Sequence, residues 1–397
     1  MDVVVVQSRQ KLATSRVDHF LTRQPSQSRG HVGDAAVGES DVGRPIQTLD
    51  LGPTDQKRRR PGAGIHGPQV TLAFMGDPMV VVDLDDTTSE DRVPNRCSSV
   101  VVGVSRAGEP PSLAGREVDV ALTSTVGSPA PWVASPDVDQ ELELLVDQIR
   151  ERPLAAVTLV HVLRSSDGLS IPKGLLVESL AYSALQSGPE FRTWLDARPT
   201  MTPKAEKGDP VLVARDGHRL TIALNRPEVH NAYNASMRDA LCDALSIAAA
   251  DPSVEEVRLL GAGRSFCSGG DLSEFGTFTD PVRAHLIRTS HSPARLLGCL
   301  ADRVTAHVHG SCVGSGIEIP TFAATVLADP ASTFRLPEVA MGLIPGAGGT
   351  VSIPRRIGRR RAGWLALSGR PIDAATAQAW GLVDGLRPRI LGPIPPR

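Results

Sequence analysis

The sequence predicts an α/β protein in which a layered core of parallel strands follows a second, N-terminal α/β domain. At 397 residues the chain is longer than one hydrophobic core usually organises, so two domains are expected. Beyond residue 210, short apolar stretches alternate with helical patterns, which is typical of parallel sheets covered by helices. Glycine-rich turns follow several of these stretches, and loops after parallel strands commonly carry the chemistry of α/β folds.

The domain boundaries follow from changes in composition. Residues 1–68 are rich in Arg, Gln, Ser, Asp and Gly without a sustained period, which predicts a disordered tail. Within it, the basic cluster at 57–60 is interpreted as a solvated charge run, because no aromatic residues interleave with it. An N-terminal α/β domain is predicted over 69–198, a proline-interrupted linker over 199–209, and a catalytic domain over 210–388.

In the N-terminal domain, apolar stretches bounded by Gly, Pro and Asp predict strands at 70–75, 79–84, 99–104, 118–123 and 155–163. A helix is predicted to begin at Asp137, with acidic residues in its first turn and an apolar face at helical spacing. A second helix is predicted over 172–195, interrupted at Gly188-Pro189.

The stretch VVVDLDDT at 80–87 resembles the first motif of haloacid-dehalogenase-like phosphatases, in which the first Asp, here Asp83, is the nucleophile. That chemistry also requires a later magnesium-binding acidic pair and a suitably placed lysine, and no such acidic pattern follows. We therefore predict a strand that ends in a solvated acidic turn containing Asp83 and Asp85. Magnesium-dependent phosphate release would favour the phosphatase alternative.

In the second domain, strands at 210–215 and 219–224 flank Asp216-Gly217, a pair that strongly favours a β-hairpin. A helix is predicted over 234–249 and a strand over 254–260, followed later by a strand at 304–308.

Two isolated carboxylates, Glu318 and Glu338, stand beside glycine-rich turns in this domain. Turns of this kind expose backbone N–H groups, which can stabilise negative charge that develops on a substrate. A carboxylate beside such donors is suited to proton transfer. The pattern predicts acid–base chemistry at this site.

The second domain resembles the crotonase superfamily, which includes enoyl-CoA hydratase and isomerase. The residues that carry the resemblance are NRP at 225–227, FCSGGDL at 266–272, residues 310–318, PE at 337–338, IPGAGGT at 344–350, LSGR at 367–370 and AQAWGLV at 377–383. They occur in the family order over residues 210–388. The resemblance implies a ββα spiral core and an acyl-CoA substrate.

The resemblance also implies roles for individual residues. The backbone N–H groups of Ser268 and Ser315 would form an oxyanion hole for the thioester oxygen. Glu318 would help activate water, and Glu338 would deliver a proton to Cα. Substrate-binding positions implied by the family are Gly270, Asp271, Leu272 and Gly346.

Retention of both acids favours enoyl-CoA hydratase. The alternatives are an enoyl-CoA isomerase, another acyl-CoA-processing member, or a non-catalytic acyl-CoA-binding subunit. Pro320 follows Glu318 closely, where the family has a helix that a proline would interrupt; if Glu318 is displaced there, one acid and an oxyanion hole remain, which is the isomerase arrangement.

Beyond residue 388 the sequence lacks the helices with which family members usually cover the acyl pocket. Residues 174–194 resemble those helices, and 118–124 with 154–164 parallel 220–225 with 254–263. The N-terminal domain is therefore interpreted as a degenerate crotonase-like unit whose helix covers the catalytic domain.

Composition bounds the remaining classes. A net charge of −2 argues against a nucleic-acid binder. Five dispersed cysteines favour a reducing cytoplasm, and no apolar run reaches the length of a signal-peptide core or a membrane span. We expect a cytoplasmic protein that needs no cofactor, since coenzyme A is part of the substrate. The family resemblance implies a homotrimer or hexamer.

Overall fold

The structure is a computed structural model, and it describes residues 76–86, 98–202, 204–205 and 207–389. The predicted tail at 1–68 and the predicted strand at 70–75 lie outside these residues. All the described residues belong to one compact unit.

The N-terminal region begins with a four-stranded parallel sheet. Its strands are β1 (Met79–Asp83), β2 (Val100–Ser105), β3 (Val120–Thr123) and β4 (Val133–Ala134), in that spatial order. β2 and β3 are buried along their whole length, and β2 consists largely of valine, which is typical of parallel strands covered on both faces. The predicted strands at 79–84, 99–104 and 118–123 are confirmed.

Four helices follow: α1 (Val138–Glu151), α2 (Pro153–Ser165), α3 (Ile171–Gln186) and α4 (Pro189–Ala197). α1 begins as predicted, because the Asp137 side chain accepts a hydrogen bond from the Gln140 N–H at 3.0 Å. The predicted interruption at Gly188-Pro189 is also confirmed, since α3 ends at Gln186 and α4 begins at Pro189.

The prediction of a strand at 155–163 is wrong, because these residues lie in α2. The segment is apolar at nearly every position and is buried on almost every face, so its sequence carries no clear period that separates helix from strand. Pro153 occupies the first helical position, where its missing N–H is tolerated. The proposed match between 154–164 and the strand at 254–263 therefore does not hold.

The strands after the linker are β5 (Val211–Asp216), β6 (Arg219–Leu224), β7 (Glu256–Gly261), β8 (Val304–Val308), β9 (Ser311–Val313), β10 (Thr325–Ala328), β11 (Thr333–Arg335), β12 (Ile372–Asp373) and β13 (Gly385–Leu386). Six of them form one sheet in the order β13-β10-β8-β7-β6-β5, parallel except for the predicted hairpin of β5 and β6. A smaller sheet has the order β12-β11-β9.

The helices of this region are α5 (Ala235–Ala250), α6 (Pro281–Ser290), α7 (Pro293–Leu300), α8 (Ser315–Glu318), α9 (Gly349–Ser368) and α10 (Ala374–Trp380). α5 matches its prediction: Asn234 caps it by accepting from the Met237 N–H, and Met237, Leu241 and Leu245 are buried.

One hydrophobic core runs through both regions. α2 and α3 pack against α9, so that Leu159 and Val160 belong to the same buried cluster as Val351 and Leu365. In the part of the chain that the structure describes, no helix combines the length and the apolar character that a membrane crossing demands.

Candidate active site

A cavity of about 410 Å³ lies between the N-terminal helix α3 and the region that follows the linker. Its walls come from α3, the start of α5, the loop after β7, α6 and α7, α8, and the glycine turn before α9. Five of the predicted site residues line it: Gly270, Ser315, Glu318, Glu338 and, from the glycine turn, Gly346.

Glu318 is the last residue of α8, a single helical turn. Pro320 begins a separate 3-10 turn, Pro320–Phe322, where its missing N–H does not interrupt a helix. Pro320 does not displace Glu318, which stays in the cavity wall with only 2% of its surface exposed. Its Oε2 accepts hydrogen bonds from the N–H groups of Ala347 at 2.8 Å and Gly349 at 2.9 Å.

Glu338 begins the 3-10 turn Glu338–Met341 and faces Glu318 across Gly314. A Cβ placed on Gly314 would lie 2.5 Å from Glu338 Oε1 and 3.7 Å from Glu318 Oε1. Gly314 also has a φ of 52°, which favours glycine. The two carboxyl groups thus converge beside Gly314, where a side chain on any other residue would fill the space between them.

The two acids differ in their hydrogen bonds, and this difference assigns their protonation. Burial raises the pKa of Glu318, while backbone N–H groups of the 346–349 turn favour its ionised form. Burial and then repulsion from Glu318 raise the pKa of Glu338 well above the usual range for a carboxyl group. Glu338 Oε2 is buried and has no hydrogen-bond partner among the described residues. A proton shared by the pair is therefore expected on Glu338.

The predicted oxyanion-hole donor Ser268 is not directed at the cavity. Its N–H donates to the His230 carbonyl oxygen at 3.0 Å, and Ser268 does not line the cavity. Gly270, two residues later, does. The neighbouring backbone is fixed by Tyr233, which donates to the Gly269 carbonyl oxygen and accepts from the Asp271 N–H. We correct the Ser268 prediction on this ground, since an N–H already bonded to a carbonyl oxygen cannot serve a ligand.

Gly270 and Ser315 present the available N–H groups. Neither N–H has a hydrogen-bond partner among the residues that the structure describes. Ser315 is the first residue of α8, where a backbone N–H has no partner within the helix. A Cβ on Gly270 would lie 2.7 Å from Phe275 Cε2, so the site leaves no room for a side chain there.

Asp271 and Leu272, predicted to bind substrate, do not line the cavity. The Asp271 carboxylate pairs with Arg226 at 2.9 Å and accepts from the Ser273 hydroxyl at 2.7 Å. The Leu272 carbonyl oxygen accepts from Arg198, which follows α4. These contacts fix the loop that carries Gly270.

The sequence interpretation missed two cavity residues on α3, Glu178 and Tyr182. Glu178 is 2% exposed and accepts from the Gly348 N–H at 2.8 Å and from both the N–H and the hydroxyl of Thr350, at 2.9 and 2.7 Å. It thus holds the N-terminus of α9, next to the turn that binds Glu318. A lone acid in the apolar stretch 174–185 was the available signal, the same signal that identified Glu318.

Replacing Glu178 by alanine is expected to lower the free energy of unfolding by about 1–3 kcal/mol. Two N–H groups and a hydroxyl at the start of α9 would lose their buried acceptor. Thermal unfolding of Glu178→Ala measures the effect, with the exposed Glu143→Ala as the control. An unchanged midpoint for Glu178→Ala would show that relief of its repulsion with Glu318 offsets the lost hydrogen bonds.

Neither the Cys267 thiol nor the acidic turn that contains Asp85 offers a second catalytic site. Burial raises the pKa of the Cys267 thiol to about 11, which disfavours the nucleophilic thiolate. Asp85, in the phosphatase-like stretch, accepts from the N–H groups of Arg106 and Ala107 and from the Ser105 hydroxyl. The described residues contain no cluster of three or more metal-ligating side chains. These contacts agree with a strand that ends in an acidic turn.

Comparison with known proteins places residues 218–390 in a match to the family model described as enoyl-CoA hydratase/isomerase. The chain is 31% identical over 182 residues to "Probable enoyl-CoA hydratase echA8" of Mycobacterium tuberculosis, covering 45% of this chain and 69% of that protein. It is 34% identical over 178 residues to 2,3-dehydroadipyl-CoA hydratase of Escherichia coli, with coverage of 45% and 69%.

The solved structure of an enoyl-CoA hydratase from Thermoplasma volcanium is 32% identical in sequence to this chain, with a TM-score of 0.43, covering 46% of this chain and 73% of that chain.

Proposed function

The chain belongs to the enoyl-CoA hydratase/isomerase family, and from this premise we propose that it adds water across the 2,3 double bond of an enoyl-CoA thioester. The observation that carries the proposal is the convergence of Glu318 and Glu338 in one cavity with two unbonded backbone N–H groups. We further propose that no cofactor is needed beyond the coenzyme A of the substrate. The homotrimer or hexamer and the cytoplasmic location stay predictions.

In this proposal, the thioester carbonyl oxygen accepts hydrogen bonds from the Gly270 and Ser315 N–H groups. Addition to the double bond moves negative charge onto that oxygen as an enolate forms, and donors fixed in advance stabilise the charge without reorganising. Removal of one such donor typically costs about 3–4 kcal/mol in the transition state. The close approach requires glycine at 270, which the contact with Phe275 also imposes.

The acids then divide the proton transfers. The Glu318 carboxylate accepts a proton from water as the water oxygen bonds to Cβ, and the Glu338 carboxyl group gives its proton to Cα. The net result is one water added, and passage of the proton from Glu318 to Glu338 restores the starting state. The hydrogen bonds from Ala347 and Gly349 to Glu318, and the unpartnered Oε2 of Glu338, support this division.

The direct test follows the loss of the conjugated enoyl-thioester absorbance with trans-2-enoyl-CoAs of several chain lengths. Hydration is expected, with one water incorporated in the product. Conversion of a 3-enoyl-CoA to a 2-enoyl-CoA without hydration would instead support an isomerase that uses Glu338 alone. Tight binding of acyl-CoA with no turnover of either substrate would support a non-catalytic binding subunit.

The pH dependence of kcat/KM is expected to be bell-shaped, with both limbs above the usual range for carboxyl groups. Activity is lost at low pH when Glu318 becomes protonated, and burial shifts this limb upward by raising the pKa of Glu318. Activity is lost at high pH when Glu338 loses its proton, and burial shifts this limb upward by raising the pKa of Glu338. An acid limb near pH 4.3, the ordinary value for glutamate, would contradict the buried pair.

A further inference from the structure

We infer that α3 and α6 form a subsite for an anionic group on the acyl chain, so that the preferred substrate is an enoyl-CoA whose acyl chain ends in a carboxylate. The subsite consists of Arg288 on α6 and Tyr182 on α3, both of which line the cavity. This inference rests on the proposed function, because it places the acyl chain relative to the proposed reacting groups.

Arg288 is held by α3 through hydrogen bonds to uncharged groups. Its Nε donates to the Ser179 hydroxyl at 3.2 Å, its Nη1 to Gln186 Oε1 at 3.1 Å, and its Nη2 to Ser183 Oγ and the Ser179 carbonyl oxygen. All these acceptors are uncharged. Arg288 has no carboxylate oxygen of the described residues within ion-pair distance, and one Nη1 hydrogen has no partner among them. Burial lowers the pKa of Arg288, and the charge of Glu178 partly offsets this from a longer distance.

Tyr182 provides a second donor beside this cation. Its ring centroid lies 4.6 Å from Arg288 Cζ, and its hydroxyl has no hydrogen-bond partner within the described residues. The ring edge also packs against the second glycine turn, since a Cβ on Gly346 would lie 2.4 Å from Tyr182 Cδ2. Tyr182 therefore lies between that turn and Arg288.

The position of this pair identifies the part of the substrate that it meets. With the carbonyl oxygen at Gly270 and Ser315, Glu318 acts at Cβ, and Gly346 belongs to the turn that binds Glu318. A group that contacts Tyr182 from the cavity is therefore attached beyond Cβ, on the acyl side. Arg288 lies against the Tyr182 ring. It is therefore expected to meet a group still further from Cβ along the acyl chain.

The Arg288 guanidinium favours an anion at this place, against the opposing charge of Glu178 and Glu318, which also acts on Tyr182. A half-buried guanidinium without a carboxylate partner loses hydration that an anionic ligand can replace, and hydrogen bonds between charged groups are about twice as strong as those between neutral ones. The nearest acid on α3, Glu178, is already bonded to the start of α9. An apolar acyl chain would leave both the Arg288 and the Tyr182 donors unsatisfied.

The experiment compares the full chain acting on two trans-2-enoyl-CoAs of equal length, one ending in a methyl group and one in a carboxylate. We expect kcat/KM to favour the carboxylate substrate by about 10- to 100-fold, and Arg288→Met to remove this preference while retaining activity on the methyl substrate. Tyr182→Phe is expected to reduce the preference by a smaller factor. Arg283→Met, an exposed arginine on the same helix, is the matched control.

Two outcomes would overturn the inference. An equal loss on both substrates in Arg288→Met, with weaker inhibition by free coenzyme A, would assign Arg288 to the coenzyme A phosphates. If Arg288→Met instead shifted the pH profiles for both substrates equally and left the preference for the carboxylate substrate unchanged, Arg288 would act as a counter-charge for the buried acids.

Binding separates this inference from the proposed reaction. Calorimetry with saturated hexanoyl-CoA and hexanedioyl-CoA requires no turnover. Tighter binding of hexanedioyl-CoA that depends on Arg288 would support the subsite even if neither enoyl-CoA were hydrated. Equal affinities would overturn the subsite even if hydration were observed.

Discussion

Glu318→Gln and Glu338→Gln are each expected to lower kcat for hydration by about 10²- to 10⁴-fold, the usual contribution of a positioned acid or base. Glutamine keeps the size of the side chain, and its carbonyl oxygen can still accept from the Ala347 and Gly349 N–H groups that hold residue 318. The change therefore removes proton transfer while leaving the cavity intact. Initial rates of enoyl-thioester loss measure the effect.

The exposed Glu255→Gln is the control for these variants, because it makes the same chemical change outside the cavity. Thermal unfolding should show that all three proteins remain folded. If Glu318→Gln kept full hydration activity, the two-acid mechanism would be wrong. If Glu318→Gln kept isomerase activity and Glu338→Gln lost it, Glu338 would be the group that transfers the proton at Cα, whether or not water is added.

Much of this site could be predicted from the sequence because its residues stand in local motifs. Glu318 and Glu338 each stand a few residues from a glycine in the sequence, and glycine at 314 and 346 leaves room for the side chains of Glu338 and Tyr182. The hairpin at Asp216-Gly217 and the cap of α5 at Asn234 are equally local.

The errors arose where long-range packing decides. The stretch 155–163 is apolar at nearly every position, so its burial between the N-terminal sheet and α9 selects a helix. The motif at 266–272 identifies the oxyanion loop but not which N–H is free. That depends on the contact of Ser268 with His230, 38 residues earlier in the chain. Glu178 contacts α9 across 170 residues, a distance that no local pattern spans.

A chain that begins after the linker, at Pro210, is expected to lose both its fold and its activity. The removed segment contains the helices whose apolar faces are buried against α9, and α9 would expose Val351 and Trp364 without them. Trp364 would also lose its hydrogen bond to Glu141 on α1, which has a length of 2.8 Å. We expect aggregation, or a molten globule that has lost its near-ultraviolet circular dichroism, and no hydration by the truncated chain.

Two further chains separate loss of the cavity wall from simple misfolding. A chain that begins at residue 76 keeps every contact named above and should remain active. Co-expression of residues 76–202 with residues 203–397 should restore a soluble, active complex, because α3 would again supply Glu178 at the start of α9 and Tyr182 against Gly346. Restoration by a 76–202 segment carrying Glu178→Ala and Tyr182→Ala would show that the N-terminal region only covers apolar surface. Failure of that segment to restore activity, with solubility regained, would make α3 part of the active site itself.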